Sequence, residues 1–168
     1  MRDFRKADFE AVWRIDQQCF APGISYSRLE LAEYLRRPGA FAIVAESSSD
    51  AIASDPSLPK APGTIIGFVA AEPGRASGHI ITIDVLPLFR KSGVGSGLLR
   101  AAEDRLRSGR CHSVILETAV DNRNALSFYK THEYNVVKSI PRYYSDGMDA
   151  LVLKKDLLST SGPAKLPQ

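Results

Sequence analysis

Three glycines at alternate positions, Gly93, Gly95 and Gly97, follow two cations, Arg90 and Lys91, in the stretch FRKSGVGSGLL. Glycine has no Cβ, so consecutive backbone N–H groups can converge on one anion at close range. Directly after Gly97 the apolar residues recur at helical spacing. A helix starting here presents its unpaired first N–H groups, and about half a positive charge, to the same point. The backbone from Arg90 to Ser96, through Lys91, Ser92 and Val94, therefore reads as a cradle for a pyrophosphate. A tight strand-to-helix turn with glycines for steric reasons alone is the structural alternative. The two flanking cations favour the anion site.

Two other phosphate motifs do not fit. The dinucleotide fingerprint GxGxxG needs a glycine at position 98, where Leu98 stands, although Glu117 lies about 20 residues further on, where a ribose-binding acid would sit. No Gly-Lys-Ser/Thr follows the bend, so it is not a P-loop. Two further groups could move protons. Glu117 ends the apolar run VILE and would be costly to bury without partners, so it is expected to line a wet cleft, with a surface ion pair as the alternative. His79 opens another strand-like run and titrates near neutrality, although a histidine at a hairpin end is usually just solvated. Cys19 and Cys111 have no CxxC or Cys/His spacing, so no disulfide framework and no metal site is expected.

Around these groups the chain alternates strand and helix patterns. A short strand is expected within 1–4, then a helix from Asp8, its N-cap, through Phe9, Val12, Trp13, Ile15 and Cys19. A second helix, Ser27 to Arg37, carries Leu29, Leu31, Ala32 and Leu35 and stops before Pro38-Gly39. AFAIVAE, TIIGFVAAE and HIITIDVL read as strands, the last two as a hairpin around PGRASG. The helix after the glycine bend turns Val94, Leu98, Ala102 and Leu106 inward, with Gly109 placed to end it. SVILETAV is a strand buried on both faces. Asp121 or Asn122 can cap the helix NRNALSFYKTH, and YNVVKSI and DALVLKKDL close the series. The order β-α-α-β-β-β-α-β-α-β-β describes an α/β protein with a mixed sheet and helices on its faces. Residues 1–158 read as one domain, 47–63 as a mobile internal loop and 159–168 as a frayed tail.

The chain of 168 residues, 44% apolar and 24% charged, has the composition of an ordinary soluble protein. A net charge of +3 suits a small polyanion and is too low to argue for nucleic acid. No segment approaches the ~20 apolar residues of a membrane span, and the charged N-terminus has no leader-like core. A cytoplasmic location is expected.

VLPLFRKSGVGSGLL resembles the acetyl-CoA signature of the GNAT N-acetyltransferase superfamily, Arg/Gln-x-x-Gly-x-Gly/Ala, matched by Arg90, Gly93 and Gly95. LETAVDNRNALSFYKTHEYNVV is similar to that superfamily's second signature, in which an Asn and an Ala precede a Tyr on a helix. The tail IPRYYSDGMDALVLKKDL is similar to the ribosomal-protein alanine N-acetyltransferases and relatives that modify protein N-termini. The chain departs from them in the long 47–63 segment, in THEY after the helix, and in the spacing of FAPGISY.

The resemblance implies a GNAT fold, a mostly antiparallel mixed sheet flanked by about four helices. It implies acetyl-CoA as the donor and direct attack by an amine. Backbone at Ile83, Asp84 and Val85 would pair with the pantetheine arm, with amides near Val85 polarising the thioester carbonyl, and Asn122 would hydrogen-bond the cofactor. Glu117 would be the base, with His79 as the second choice. Tyr129 would be the acid, since a phenol near pKa ~10 is only slightly weak against a thiolate near ~8.5, with a core tyrosine packed beside Phe128 as the structural alternative. Tyr26, Tyr143 and Tyr144 would bracket the acceptor, with ordinary strand and loop aromatics as the alternative. An α-amine near pKa ~7.8 is roughly 10% neutral at pH 7, against well under ~0.1% for lysine, so a single Glu suits an N-terminal acceptor. The partner implied is a protein or peptide N-terminus, a ribosomal protein among the candidates, with the enzyme a monomer or weak homodimer. A lysine or small-molecule acetyltransferase, or a non-catalytic acetyl-CoA sensor, is the alternative.

Overall fold

The computed structural model describes residues 1–20, 24–47 and 63–158. Its strands are β1 (Arg2–Asp3), β2 (Phe41–Glu46), β3 (Ile65–Glu72), β4 (Ser77–Val85), β5 (Ser113–Ala119), β6 (Asn135–Ile140) and β7 (Ala150–Asp156). The helices are α1 (Phe9–Cys19), α2 (Arg28–Arg36), α3 (Val94–Ser108) and α4 (Arg123–Thr131). The seven strands form one mixed sheet in the order β1-β2-β3-β4-β5-β7-β6. All described pairings are antiparallel except β4 with β5. The element order is the one expected from the sequence.

Period-two alternation divides the core into two layers. Phe68 and Ala70 of β3 meet Val12, Ile15 and Leu31 from α1 and α2 on one side of the sheet. Val69 and Ala71 meet Leu98, Leu99, Ala102 and Leu106 of α3 on the other. The second layer is closed tightly at Gly78, where an added Cβ would stand 2.6 Å from the Leu106 methyls. A buried carboxylate fixes α3 to the far end of the sheet. Glu103, 4% exposed, accepts the Tyr134 hydroxyl at 3.1 Å and the Lys155 ammonium at 2.9 Å.

Several local expectations are corrected. Asp8 precedes α1 but does not cap it: its carboxylate accepts the Arg5 N–H and the Arg2 guanidinium, closing the 3-10 turn Lys6–Asp8 instead. Gly109 does end α3 as its C-cap, although in a right-handed conformation, and the left-handed residue is the following Arg110 at φ +67°. Leu29 lies on the solvent side of α2, 65% exposed, while Leu31 alone of that helix is fully buried. Ser27 caps α2 through a reciprocal box with Glu30. Of the 47–63 segment only the ends are described, held by Ser47 N–H to the Thr64 carbonyl at 2.9 Å; 48–62, like 159–168, lies outside the described residues.

The sheet divides at its single parallel junction. β4 and β5 are in register over three pairs only, Ser77–His79 with Ser113–Ile115. Beyond them β4 stays with β3 as far as Val85, and β5 stays with β7 as far as Ala119. One extra residue in β4, Ile81, between the pairs Ala71–Ile80 and Ala70–Thr82, bends the strand where the two separate.

Replacing Glu103 with Ala should lower the unfolding free energy by about 3 kcal/mol, because Lys155 and Tyr134 lose a buried acceptor. Urea denaturation of the variant measures this, and a loss below about 1 kcal/mol would show that solvent replaces the carboxylate.

Candidate functional site

The divergence of β4 and β5 leaves one edge of each strand unpaired within the sheet. The Leu86 N–H bonds the Ile66 carbonyl. Bonded pairs alternate along an antiparallel ladder, so Asp84 and Thr82 also turn their backbone towards β3, whereas Ile83 and Val85 turn theirs into the gap. The Val85 carbonyl there accepts the Cys19 thiol at 3.4 Å and Arg90 Nε at 3.0 Å. Of the three residues expected to offer backbone to the cofactor, Ile83 and Val85 face the gap and Asp84 does not.

At the top of the gap lies the glycine bend. After the 3-10 turn Pro87–Phe89, Lys91 and Gly93 both take positive φ, +60° and +88°. Gly93 then stands at the N-cap of α3, where no side chain caps the first turn. The first N–H groups of α3, at Val94, Gly95 and Ser96, are thereby presented outward with the positive end of the helix dipole behind them. A Cβ on Gly93 would meet nothing within 4 Å, so its glycine answers the backbone angle and not crowding. Lys91 is exposed. Ser92 Oγ donates to the Phe89 carbonyl and Ser96 Oγ pairs with His132 at 2.9 Å, so these two hydroxyls brace the bend. Arg90, expected to face the anion, reaches back to Val85.

Across the gap, Glu117 and His79 meet. His79 Nε2 is 2.7 Å from Glu117 Oε2, and His79 Nδ1 is 3.7 Å from Glu72 Oε1. Register explains the contact: His79 is opposite Glu72 on β3, and Glu117 lies two residues past its β5 partner Ile115, on the same face. Arg37 completes the chain, donating to Glu72 at 3.0 Å and lying over the Tyr34 ring at 4.1 Å. Burial alone would lower the His79 pKa; the hydrogen bond and charge of Glu117, then Glu72, outweigh it and raise it.

Aromatic residues surround this pair. Tyr26 is fixed by four bonds: its N–H donates to Asp16 at 2.8 Å, its carbonyl accepts from Gln17 at 2.8 Å and from Trp13 Nε1 at 3.2 Å, and its hydroxyl donates to the Ile81 carbonyl at 3.3 Å. Its ring meets Tyr34 edge-on, with centroids 5.2 Å apart. Tyr143 and Tyr144 stack edge-on at 5.1 Å in the β6–β7 connection. Burial pushes the Tyr144 phenol up to about 12, and the fields of Tyr143 and Glu117 add to it. Tyr129 on α4 is 6% exposed, and burial followed by the charge of Asp84 pushes its phenol above the ordinary tyrosine range. This differs from the near-ordinary phenol expected. Asn122 caps α4 through its Oδ1 to the Ala125 N–H at 3.1 Å, which leaves its amide N–H groups for a second partner. No cluster of three or more His, Cys, Asp or Glu side chains able to hold a metal occurs among the described residues.

The acetyltransferase (GNAT) family model matches residues 9–134. The chain belongs to this family. It is an acyl-CoA-dependent acetyltransferase with acetyl-CoA as donor. Among relatives, an uncharacterized N-acetyltransferase of Methanocaldococcus jannaschii is 29% identical over 97% of this chain and 95% of its own. An N-alpha-acetyltransferase of Sulfolobus acidocaldarius is 40% identical over 81 residues, 48% of each chain. Against the named N-alpha-acetyltransferases the match spans about half of the relative's length or less. The crystal structure of Ard1 from Thermoplasma volcanium superposes with a TM-score of 0.76 at 26% identity, covering 94% of this GNAT chain and 96% of that one.

Sequence reasoning named Glu117 and His79 separately, and it missed Glu72, Tyr34 and Arg37. Glu72 carried a signal, an acid ending a strand in register with a histidine. The α2 pair carried none, since only tertiary packing brings it to β3.

The His79 ring should titrate above the ordinary histidine value, and Glu117→Gln should move its midpoint down. NMR titration of the ring proton reads both; an unmoved midpoint would remove the coupling. The folded form keeps this proton longer than the unfolded chain. The stability it contributes is therefore complete below the unfolded histidine pKa and is lost as pH rises through the folded one.

Proposed function

We propose that this acetyltransferase acetylates the α-amine at a protein or peptide N-terminus. The observation that carries the reading is the His79–Glu117 pair at the mouth of the β4/β5 gap, with Tyr26, Tyr143 and Tyr144 close enough to wall it. An α-ammonium has only ~1 unit of pKa to overcome at neutral pH, against ~3 for lysine, which is within the means of an unassisted carboxylate–imidazole pair. The relatives named N-alpha-acetyltransferases support the same acceptor. A ribosomal protein is one such partner, and the cytoplasm, where free thiols such as Cys19 and Cys111 persist, is the compartment.

The residues present fit acetyl-CoA. The uncapped first turn of α3 behind Gly93 suits the pyrophosphate, with Lys91 adding charge, and the gap-facing backbone of Ile83 and the Val85 N–H suit an extended amide-bearing arm. Bound there, acetyl-CoA supplies a thioester carbonyl open to attack by an amine. The Val85 amide polarises that carbonyl in the manner of an oxyanion hole. His79 and Glu117 take the proton of the ammonium. Tyr129 stands ready to give a hydrogen bond to the departing sulfur; its raised pKa makes it a donor that stays protonated throughout the working range. Asn122 keeps the start of α4, and with it Tyr129, in place.

Mass spectrometry of acetyl transfer decides the acceptor. A peptide pool with free N-termini and no lysine should react, and a pool with blocked N-termini and internal lysines should not. The reverse pattern, or none, would overturn the reading. Tyr129→Phe should lower kcat at least tenfold, about 1.4 kcal/mol, with acetyl-CoA affinity kept. Unchanged turnover removes Tyr129 as the donor. Gly95→Val should weaken acetyl-CoA binding more than tenfold by calorimetry. A Cβ there meets only Phe128, at an ordinary 3.5 Å, and the Val85 methyl beyond, so the loss would report on the anion cradle and not on the fold.

A further inference from the structure

Two nitrogens converge on one carboxylate oxygen beside the gap. Arg37 Nη1 donates to Glu72 Oε1 at 3.0 Å, and His79 Nδ1 stands 3.7 Å from that same atom. On the other side of the ring, His79 Nε2 lies 2.7 Å from Glu117 Oε2. The two ring contacts are unequal, and the inequality decides where a proton can be.

A carboxylate oxygen and a ring nitrogen without its hydrogen both accept hydrogen bonds, and neither donates. They do not approach to 2.7 Å unless a hydrogen lies between them, so one proton stays in the His79–Glu117 contact. The Nδ1–Glu72 contact, at 3.7 Å, is too long for a hydrogen bond and stands without one. When the ring takes a second proton, Nδ1 is the position left for it. That charge then faces Glu72, its cross-strand partner on β3, and Glu117 on β5. Arg37 has the nearer claim on the Glu72 oxygen and lies over the Tyr34 ring at 4.1 Å. It holds that oxygen back from His79 and offsets part of its charge. Tyr143 and Tyr144 complete the surroundings, on the Glu117 side. Of these groups only the two acids favour a charged ring, and they do so against burial.

We infer that His79 gains and loses its titrating proton at Nδ1, and that Glu72 and Arg37 are positioning residues that set how firmly it is held there. Glu72 supplies the attracting charge. Arg37 limits that attraction by holding the same oxygen. Two residues outside the His79–Glu117 pair thereby govern how readily the pair exchanges a proton. The consequence for acetyl transfer rests on the proposed base role of that pair; the position of the proton does not.

Nitrogen-15 NMR of the His79 ring, on the whole chain without donor or acceptor, tests this. Above its midpoint the ring should be in the Nε2–H form, with Nδ1 bare. Glu72→Gln removes the attracting charge and should lower the midpoint by about 1 on the pH scale. Arg37→Gln releases the Glu72 oxygen and should move the midpoint the opposite way, upwards. A neutral ring that carries its hydrogen on Nδ1 overturns the inference. So do midpoints that stay put in both variants or shift in the same direction, as a general loosening of the site would produce. With an N-terminal peptide as acceptor, the acid limb of kcat should follow the His79 midpoint in each variant. A limb that stays while the midpoint moves overturns the positioning role. Failure of every N-terminal peptide to react would instead strike the acceptor assignment, and the ring titration would still decide the inference.

Discussion

Every feature of the site follows from two adjacent strands that stop hydrogen-bonding to each other. A parallel ladder that ran the full length of β4 and β5 would satisfy the Ile83 and Val85 backbone and close the sheet. Because pairing ends at His79 and Ile115, the gap that follows is lined by main-chain groups on one side and by Glu117 on the other. Backbone donors and acceptors left over in a sheet are ordinarily an aggregation hazard. Here the opening is internal, flanked by paired strands and covered by α1 on one side and α3 on the other, so only something slender and extended can use it.

The two faces of that opening are electrically different. On the α3 face stand helix dipole, glycine backbone and Lys91, an environment for anions. On the α1 face stand Glu72, Glu117 and His79, with tyrosines around them, an environment suited to a cation. The single pair of strands keeps these fields apart while bringing their occupants within reach of each other. Burial acts on the groups between: it raises the pKa of Tyr129 and of Asp84, disfavouring the charged form of each.

Period and turn chemistry made the fold legible in the sequence, since the strand runs are bounded by Gly, Pro and polar residues and the helices by caps such as Ser27 and Asn122. The glycine bend was legible because its function needs main-chain geometry, and main-chain geometry is written in glycines. What could not be read were contacts set by tertiary register. The bulge at Ile81 shifts the face to which Thr82 and Asp84 point, so Asp84, read as a backbone contributor, turns out to be a buried side chain against α1. Likewise Asp8 satisfies the capping pattern in sequence, yet the nearby Arg2 and Arg5 N–H claim its carboxylate first.

Helix α3 spans the divergence. Leu106 sits on Gly78 in the paired part of β4, while Glu103 reaches Lys155 on β7, which lies level with Val114 in that same paired stretch. Its first turn, at the other end, is the cradle behind Gly93. The helix therefore works as a crossbar between the halves of the sheet, and a ligand on its first turn is linked energetically to both. Were the donor to bind on that turn, as proposed, its saturation would raise the opening free energy of either half by the same mass-action increment, RT ln(1 + [L]/Kd). Amide hydrogen exchange in β2–β3 and in β5–β7 should therefore slow in concert, as within one cooperative unit.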